Sequence, residues 1–74
     1  KGNAQAKYCL SWMYRHGDGV DMNMSKAVEL RKEAADEGDE LAQLSLGLAY
    51  RYGKDGMEKH PEEAIKWFEK AAKQ

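Results

Sequence analysis

Small and apolar residues recur at every fourth position near the start of the chain, and the same spacing returns 36 residues later. The two sets are Ala6, Leu10, Tyr14 and Ala42, Leu46, Tyr50. A four-residue spacing places side chains along one face of an α-helix. Between and after these two helices, polar stretches with turn residues lead into two further helical segments, and no segment has the pattern of a strand.

The chain contains an internal duplication. Matching residues lie 36 positions apart in the first helix of each half and 37 positions apart in the second helix. The extra residue falls in the turn, where residues 17–19 correspond to residues 53–56. Turns accept insertions that helices would not. The sequence therefore predicts two helix-turn-helix repeats, residues 1–37 and 38–74, in one continuous array of four antiparallel helices.

Particular residue types mark the ends of these helices. Gly17 and Gly53 follow the first helix of each repeat, where glycine adopts the left-handed C-cap conformation at little cost. Pro61 stands at the expected first position of the last helix, and its ring presets the helical backbone angle. The residues expected to cap helix N-termini are Asn3, Asn23 and Asp39.

Small residues explain how the helices are expected to meet. Ser11 and Gly47 on the first helices, with alanines on the second helices, allow the backbones to approach closely. The residues expected to fill the remaining volume are Leu10, Tyr14, Leu46, Tyr50 and Phe68. A single hairpin cannot bury its apolar face alone, so neighbouring hairpins must stack. The expected fold class is all-α, an α-α superhelix or α-solenoid.

Two motifs in phase carry a family resemblance. Residues 6–27 read Ala-x-x-x-Leu-Ser-x-x-Tyr-x-x-Gly-x-Gly-Val-x-x-Asn-x-x-Lys-Ala, and residues 62–72 read Glu-Glu-Ala-Ile-Lys-Trp-Phe-Glu-Lys-Ala-Ala. Over essentially the whole chain this pattern resembles the Sel-one-like repeat, a relative of the tetratricopeptide repeat. In similar arrays the first helices line a concave groove that binds peptides or other proteins. The resemblance therefore implies an interaction scaffold or adaptor.

Three departures from the family pattern bear on stability. Leu30 and Arg31 stand where the second repeat has the usual Trp-Phe pair, so the second helix of the first repeat offers less aromatic packing. Ser11 replaces the usual glycine, and His60 replaces the usual aspartate cap. These changes affect the expected stability of the array and leave its expected architecture unchanged.

The resemblance also indicates which residues would line the groove. The candidate partner-binding residues are Trp12, Arg15, His16, Leu48, Arg51 and Tyr52. Aromatic residues and arginine are enriched at binding hot spots, and paired arginines can hold carboxylates bidentately. The competing interpretation is that the arginines are ordinary solvated charges, and that Trp12 is exposed only because its helix lacks an upstream neighbour. One turn earlier, Tyr8 and Leu44 are expected to pack between helices.

Charge and composition exclude several kinds of function. Twelve basic against thirteen acidic residues give a net charge of -1, which does not favour nucleic-acid binding. No apolar run is long enough to insert into a membrane. The single cysteine, Cys9, is interpreted as a small apolar residue, and no metal or cofactor motif is found. No acid, base and nucleophile set converges on one surface, so we expect no enzymatic activity.

The leading hypothesis is a module that binds a peptide or protein through its concave groove. The alternative is a structural or regulatory repeat segment of a larger enzyme or signalling protein. Both ends of the sequence fall at the same phase of the repeat, which indicates a longer array. Because about three repeats are usually needed for stability, we expect a low melting temperature or self-association through the exposed end helices.

Overall fold

The computed structural model describes residues 2–54 and 57–73 and shows four helices, with no strand in those two ranges. The helices are α1 (Gly2–His16), α2 (Met24–Asp36), α3 (Glu40–Tyr52) and α4 (Pro61–Ala72). Helix α1 packs on α2, α3 packs on α4, and α2 joins the two hairpins by packing on α3. The predicted all-α array of two helix-turn-helix repeats is therefore confirmed.

Two of the three predicted N-caps are confirmed. Asn23 Oδ1 accepts a hydrogen bond from the amide of Lys26 at 3.0 Å, and Asp39 Oδ2 accepts one from the amide of Ala42 at 2.9 Å. The prediction for Asn3 was wrong, because α1 already begins at Gly2 and Asn3 lies inside its first turn. A cap must sit at the point where the backbone leaves the helix, and Asn3 does not.

The first helix of each repeat ends in the same turn. Gly17 and Gly53 both have φ 66°, the left-handed conformation predicted for them. The amide after each glycine donates a hydrogen bond to the carbonyl of Met13 or Ala49, at 3.0 Å in both turns. In the second turn the amide of Gly53 donates to the same Ala49 carbonyl, so the bond from the following residue adds a second donor at the end of the helix.

The entry to each second helix is also fixed by a matching backbone bond. The amide of Asn23 donates to the carbonyl of Tyr14 at 2.9 Å, and the amide of His60 donates to the carbonyl of Tyr50 at 2.8 Å. Pro61 is the first residue of α4, as predicted, and His60 precedes it without a capping side-chain bond. The two connections differ in length by one residue, yet they anchor the following helix in the same way.

Alanines form most of the core. A central cluster consists of Ala34 and Ala35 from α2 with Ala42 and Leu46 from α3. The partly buried side chains that pack against it are Tyr8, Tyr50, Met57 and Trp67. The contact between α2 and α3 therefore depends on small side chains that let the two backbones come close.

Within the second hairpin, Gly47 lies directly under the ring of Phe68. A Cβ atom added at Gly47 would lie 2.6 Å from the nearest ring carbon. In the first hairpin, the position of Gly47 is taken by Ser11, which is fully buried and donates its hydroxyl to the carbonyl of Tyr8 at 2.5 Å. Arg31 takes the position of Phe68 and is 2% exposed, so a charged side chain is buried where the second repeat has a half-buried aromatic ring.

Of the five residues predicted to fill the core, only Leu46 is buried, Tyr14, Tyr50 and Phe68 are half-buried, and Leu10 is exposed. Leu46 is fully buried by α2, whereas the corresponding Leu10 is 37% exposed. Ala42 and Ala6 differ in the same way, because α3 has a helix packed against this face and α1 has none among the described residues. The sequence pattern was correct about the face, and among residues 2–54 and 57–73 no helix covers that face of α1.

Lys7 and Gln43, which occupy equivalent positions, join their helices to α2 by different bonds. The Lys7 ammonium donates a hydrogen bond to Glu37 and lies 3.4 Å from Glu33 Oε1. The bond to Glu37 raises the pKa of Lys7 above its ordinary value. Gln43 Nε2 instead donates to the carbonyl of Ala35 at 3.0 Å and so ties α3 to the end of α2.

Candidate binding face

The first helices of the two repeats carry most of the exposed apolar surface. Of the nine large apolar side chains that are exposed among residues 2–54 and 57–73, seven lie on α1 or α3. They are Leu10, Trp12, Met13, Leu41, Leu44, Leu48 and Tyr52. Scattered exposed apolar residues are normal on any protein, whereas here most of them lie on two related helices.

On α1, three aromatic residues four positions apart form a ridge of Tyr8, Trp12 and His16. The indole Nε1 of Trp12 donates a hydrogen bond to the Tyr8 hydroxyl at 3.1 Å. The rings of Trp12 and His16 have centroids 4.4 Å apart and planes tilted by 33°. Trp12 is 49% exposed but is held on both sides, so its orientation is largely set before any ligand binds.

The equivalent ridge on α3 consists of Leu44, Leu48 and Tyr52. Leu48 is 45% exposed and Tyr52 is 55% exposed. The Arg51 guanidinium carbon lies 5.2 Å from the centroid of the Tyr52 ring, and Lys54 Nζ lies 5.6 Å from it. Both distances are within the range of a cation–π contact, which keeps positive charge beside the ring.

The structure places most of the predicted groove residues at the surface. Five of the six are exposed: Trp12, His16, Leu48, Arg51 and Tyr52. Arg15 is half-buried, so less of its side chain is open to a ligand than predicted. Tyr8 packs against the central cluster as expected, but Leu44 is 37% exposed and its expected packing between helices is only partial.

Sequence analysis missed the bonding within the aromatic ridge and the exposure of Leu41. The Tyr8 to Trp12 spacing of four residues was visible, and it is the spacing at which helical side chains touch. Leu41 is exposed in the first turn of α3, where the first repeat has Gln5. The polar Gln5 at the equivalent position of the first repeat was the feature of the sequence that indicated an exposed position.

Charge is distributed unevenly along the two first helices. Basic residues occupy the last turns, with Arg15 and His16 in α1 and Arg51 in α3, and Lys54 follows. The start of α3 is acidic, with Asp39 at its N-cap and Glu40 in its first turn. One end of this face is therefore basic on both helices, whereas the other end is acidic only on α3.

One cleft lies away from this face. It has a volume of about 570 Å³ and lies between α2 and the segment before α4, with Tyr50 at the side. Its apolar lining comes from Met24, Val28 and Met57, and no predicted groove residue contributes to it. We place the candidate site on α1 and α3 because an extended ligand needs an open face with several anchors.

Within residues 2–54 and 57–73, no three histidine, cysteine or acidic side chains are close enough to hold a metal ion. Cys9 is exposed with a free thiol. No helix in those ranges is both long enough and apolar enough to cross a lipid bilayer.

Comparison with known proteins gives a consistent result. The Sel1 repeat family model matches residues 2–39 and 41–74. A Sel1 repeat protein from Oxalobacter formigenes has a crystal structure that superimposes with a TM-score of 0.91 and is 35% identical in sequence. The match covers 96% of this chain and 53% of that protein, so the chain spans about half of its length. A search of curated proteins finds no match.

The family assignment confirms the resemblance seen in the sequence. Sel1 repeats generally act as protein–protein interaction modules. Both repeats of this chain match the family, and the helices pack in the order found in a solved Sel1 repeat protein. The chain therefore belongs to the Sel1 repeat family.

Proposed function

We propose that this chain binds a peptide or protein segment along the face formed by α1 and α3, and that it acts by binding without catalysing a reaction. The observation that carries the proposal is the exposure of Trp12 on α1 and of Leu44, Leu48 and Tyr52 on α3. An apolar face of this kind gains free energy when a ligand removes it from water. The repeat places equivalent residues at equivalent positions, which suits a ligand that extends across both repeats.

Trp12 is the proposed anchor. Its bond to Tyr8 and its stacking on His16 restrict the ring without covering it. A side chain that is ordered before binding loses less conformational entropy when the complex forms. Large aromatic residues with this property dominate the energetics of many interfaces.

Arg51 and its neighbours supply the proposed polar recognition. The guanidinium of Arg51 is exposed beside Tyr52 at the basic end of the face. A guanidinium can hold a carboxylate through two parallel hydrogen bonds. We therefore propose a ligand with an apolar side chain for the Trp12 region and an acidic group, or a terminal carboxylate, near Arg51.

The test uses peptides selected from a random display library against the unaltered chain. Trp12→Ala is expected to weaken binding of the selected peptides by about 10-fold or more, equivalent to about 1.4 kcal/mol. Arg51→Ala should weaken only peptides that carry an acidic group. The matched control is Lys26→Ala, which removes an exposed charge from α2 and should leave affinity unchanged. Helical circular dichroism should be the same in all four proteins.

Binding that survives both substitutions would show that the ligand uses another face. Selected peptides without an acidic residue would retain the Trp12 proposal and remove the role of Arg51. Weaker binding by the Lys26 variant would point to the α2 side of the molecule.

The ends of the helix stack lie outside this face. We propose that they carry a second interaction, the association of the chain with other copies of itself. Its support is the exposure of Leu10 on α1 and of Ile65 on α4, since both helices lie at the two ends of the array.

A further inference from the structure

The indole of Trp12 has a single hydrogen-bond donor, and that donor is already in use. The Nε1–H group donates to the hydroxyl of Tyr8, one helical turn earlier on α1, at 3.1 Å. An indole has no second donor and no acceptor. A ligand that lies on Trp12 therefore meets ring carbons and finds no free polar group on that side chain.

Tyr8 is held more firmly than the residue that it orients. Its side chain packs against the central cluster where α2 meets α3. Tyr8 is half-buried, whereas Trp12 is 49% exposed. The core therefore fixes the position of the Tyr8 hydroxyl, and the hydroxyl in turn fixes the nitrogen edge of the indole.

The charge around the indole narrows the ligand further. His16 stacks on the ring of Trp12, and both Arg15 and His16 lie in the last turn of α1. An aromatic face attracts cations in general. Arg15, however, is three residues from Trp12 and so is its neighbour along the helix, where it repels a second cation. The open part of the ring therefore favours a neutral group.

The second repeat presents the same kind of surface by other means. Leu48 stands at the position equivalent to Trp12, and Leu44 at the position equivalent to Tyr8. Leucine carries no polar group, and Leu48 is 45% exposed. Both first helices thus offer an apolar surface with no free side-chain donor at this level, which suits a ligand with aliphatic residues facing each of them.

Resting on the binding face proposed above, we propose that Tyr8 determines the specificity of the Trp12 anchor. Because Tyr8 occupies the indole donor, the anchor selects neutral aliphatic side chains and discriminates against side chains that carry a hydrogen-bond acceptor. An acceptor placed against the ring loses its water without gaining a donor, which costs free energy. The ligand is a peptide segment with an aliphatic residue, such as leucine, at the position that contacts Trp12.

The test measures a preference between two matched peptides. Peptides selected against the unaltered chain are made again with each leucine replaced in turn by asparagine, which has nearly the same shape but carries an acceptor. The position that contacts Trp12 is the one whose leucine preference is lost in the Trp12→Ala protein. The preference is then measured with Tyr8→Phe, which keeps the ring and removes the hydroxyl. The matched control is Tyr14→Phe, which removes a hydroxyl from another half-buried tyrosine of α1.

Two results are expected. The preference for leucine over asparagine should fall about 10-fold in Tyr8→Phe, because the freed indole donor can bond the asparagine carbonyl, and the control should keep the original preference. The indole proton of Trp12, identified in NMR spectra by its loss from Trp12→Ala, should exchange with solvent faster in Tyr8→Phe than in the unaltered chain. Circular dichroism verifies that each variant is helical.

Other outcomes would overturn the role of Tyr8. An unchanged preference in Tyr8→Phe, with binding still weakened by Trp12→Ala, would remove that role and leave the binding face intact. Unchanged exchange of the indole proton would show that the hydroxyl does not hold the indole. Selected peptides in which no aliphatic residue depends on Trp12 would contradict the ligand class. If Trp12→Ala leaves all binding unchanged, the binding face itself is wrong and the role of Tyr8 fails with it.

Discussion

Gly47 sets the distance between α3 and α4. A side chain there would overlap the Phe68 ring, since the nearest ring carbon is 2.6 Å from the added Cβ position. Gly47→Ala therefore overpacks the hairpin, which typically costs about 1–3 kcal/mol. The better helix propensity of alanine offsets about 1 kcal/mol of that cost. The net result expected in urea denaturation is a lower free energy of unfolding.

Repeating the Gly47→Ala substitution in a Phe68→Leu protein separates the overpacking cost from the helix-propensity gain. With Phe68→Leu already present, the ring is gone and only the helix-propensity gain remains, so Gly47→Ala should stabilise the protein. An equal loss of stability in both backgrounds would mean that Phe68 is not the cause.

Residue-scale prediction failed where a residue type is at odds with its position. Arginine is normally exposed, and only the alignment of Arg31 with Phe68 indicated a position inside the hairpin. Leu10 shows the opposite error, since its apolar character predicted burial that depends on a neighbouring helix. Spacing identifies the face of a helix, and the neighbours of that face decide its exposure.

At the scale of the elements, side-chain caps contribute measurably to helix stability. Asp39→Ala removes the acceptor for the amide of Ala42 and should lower the free energy of unfolding by about 1 kcal/mol. Asn3→Ala is the matched control, because Asn3 lies inside α1 and alanine is the better helix former. That control should be neutral or slightly stabilising in thermal or urea denaturation. Comparable losses in both variants would argue against the cap.

Most helix ends followed from sequence because they depend on local chemistry. Glycine in the left-handed conformation, proline at the first helical position and an aspartate cap each act within one turn of the backbone. Asn3 misled the prediction because a residue suited to capping also fits within a first turn. Helix α1 already includes Gly2, so Asn3 has helical residues on both sides.

The whole molecule is thin and has a core of small residues. Its principal extents are 33, 27 and 12 Å, and eight of the nine buried apolar residues in the described ranges are alanines. Burial of so little apolar surface per residue leaves a small margin of stability. Contact with another copy should therefore contribute a noticeable share of the total.

If contact with another copy contributes to stability, the melting temperature of the chain should depend on its concentration. Association that occurs only in the folded state stabilises it by mass action. The melting temperature of the unaltered chain should rise as its concentration increases, whereas that of the Ala6→Glu variant, which places a charge one turn from Leu10 on α1, should stay constant. Calorimetry over a wide concentration range measures both. A constant melting temperature for the unaltered chain would contradict this expectation.

The choice of binding face was only partly available from sequence. The resemblance assigned six residues, and the structure exposes five of them, but the ordering of Trp12 by Tyr8 and His16 depends on side-chain geometry. The identity of the ligand depends on the partner as well as on this chain, so the sequence of one chain does not determine it. The apolar ridges and the basic side chains at one end are the features of this chain that bear on the chemistry of a ligand.

The matching backbone bonds at Asn23 and His60 fix where the following helix begins, whatever the length of the connection before it. Both amides bind the carbonyl of a tyrosine in the preceding helix, although the second connection is one residue longer. Extra residues inserted between Gly53 and His60 should therefore change the exposed connection without changing how the helices pack. A peptide tag or a reporter epitope grafted there would be displayed without rebuilding the scaffold.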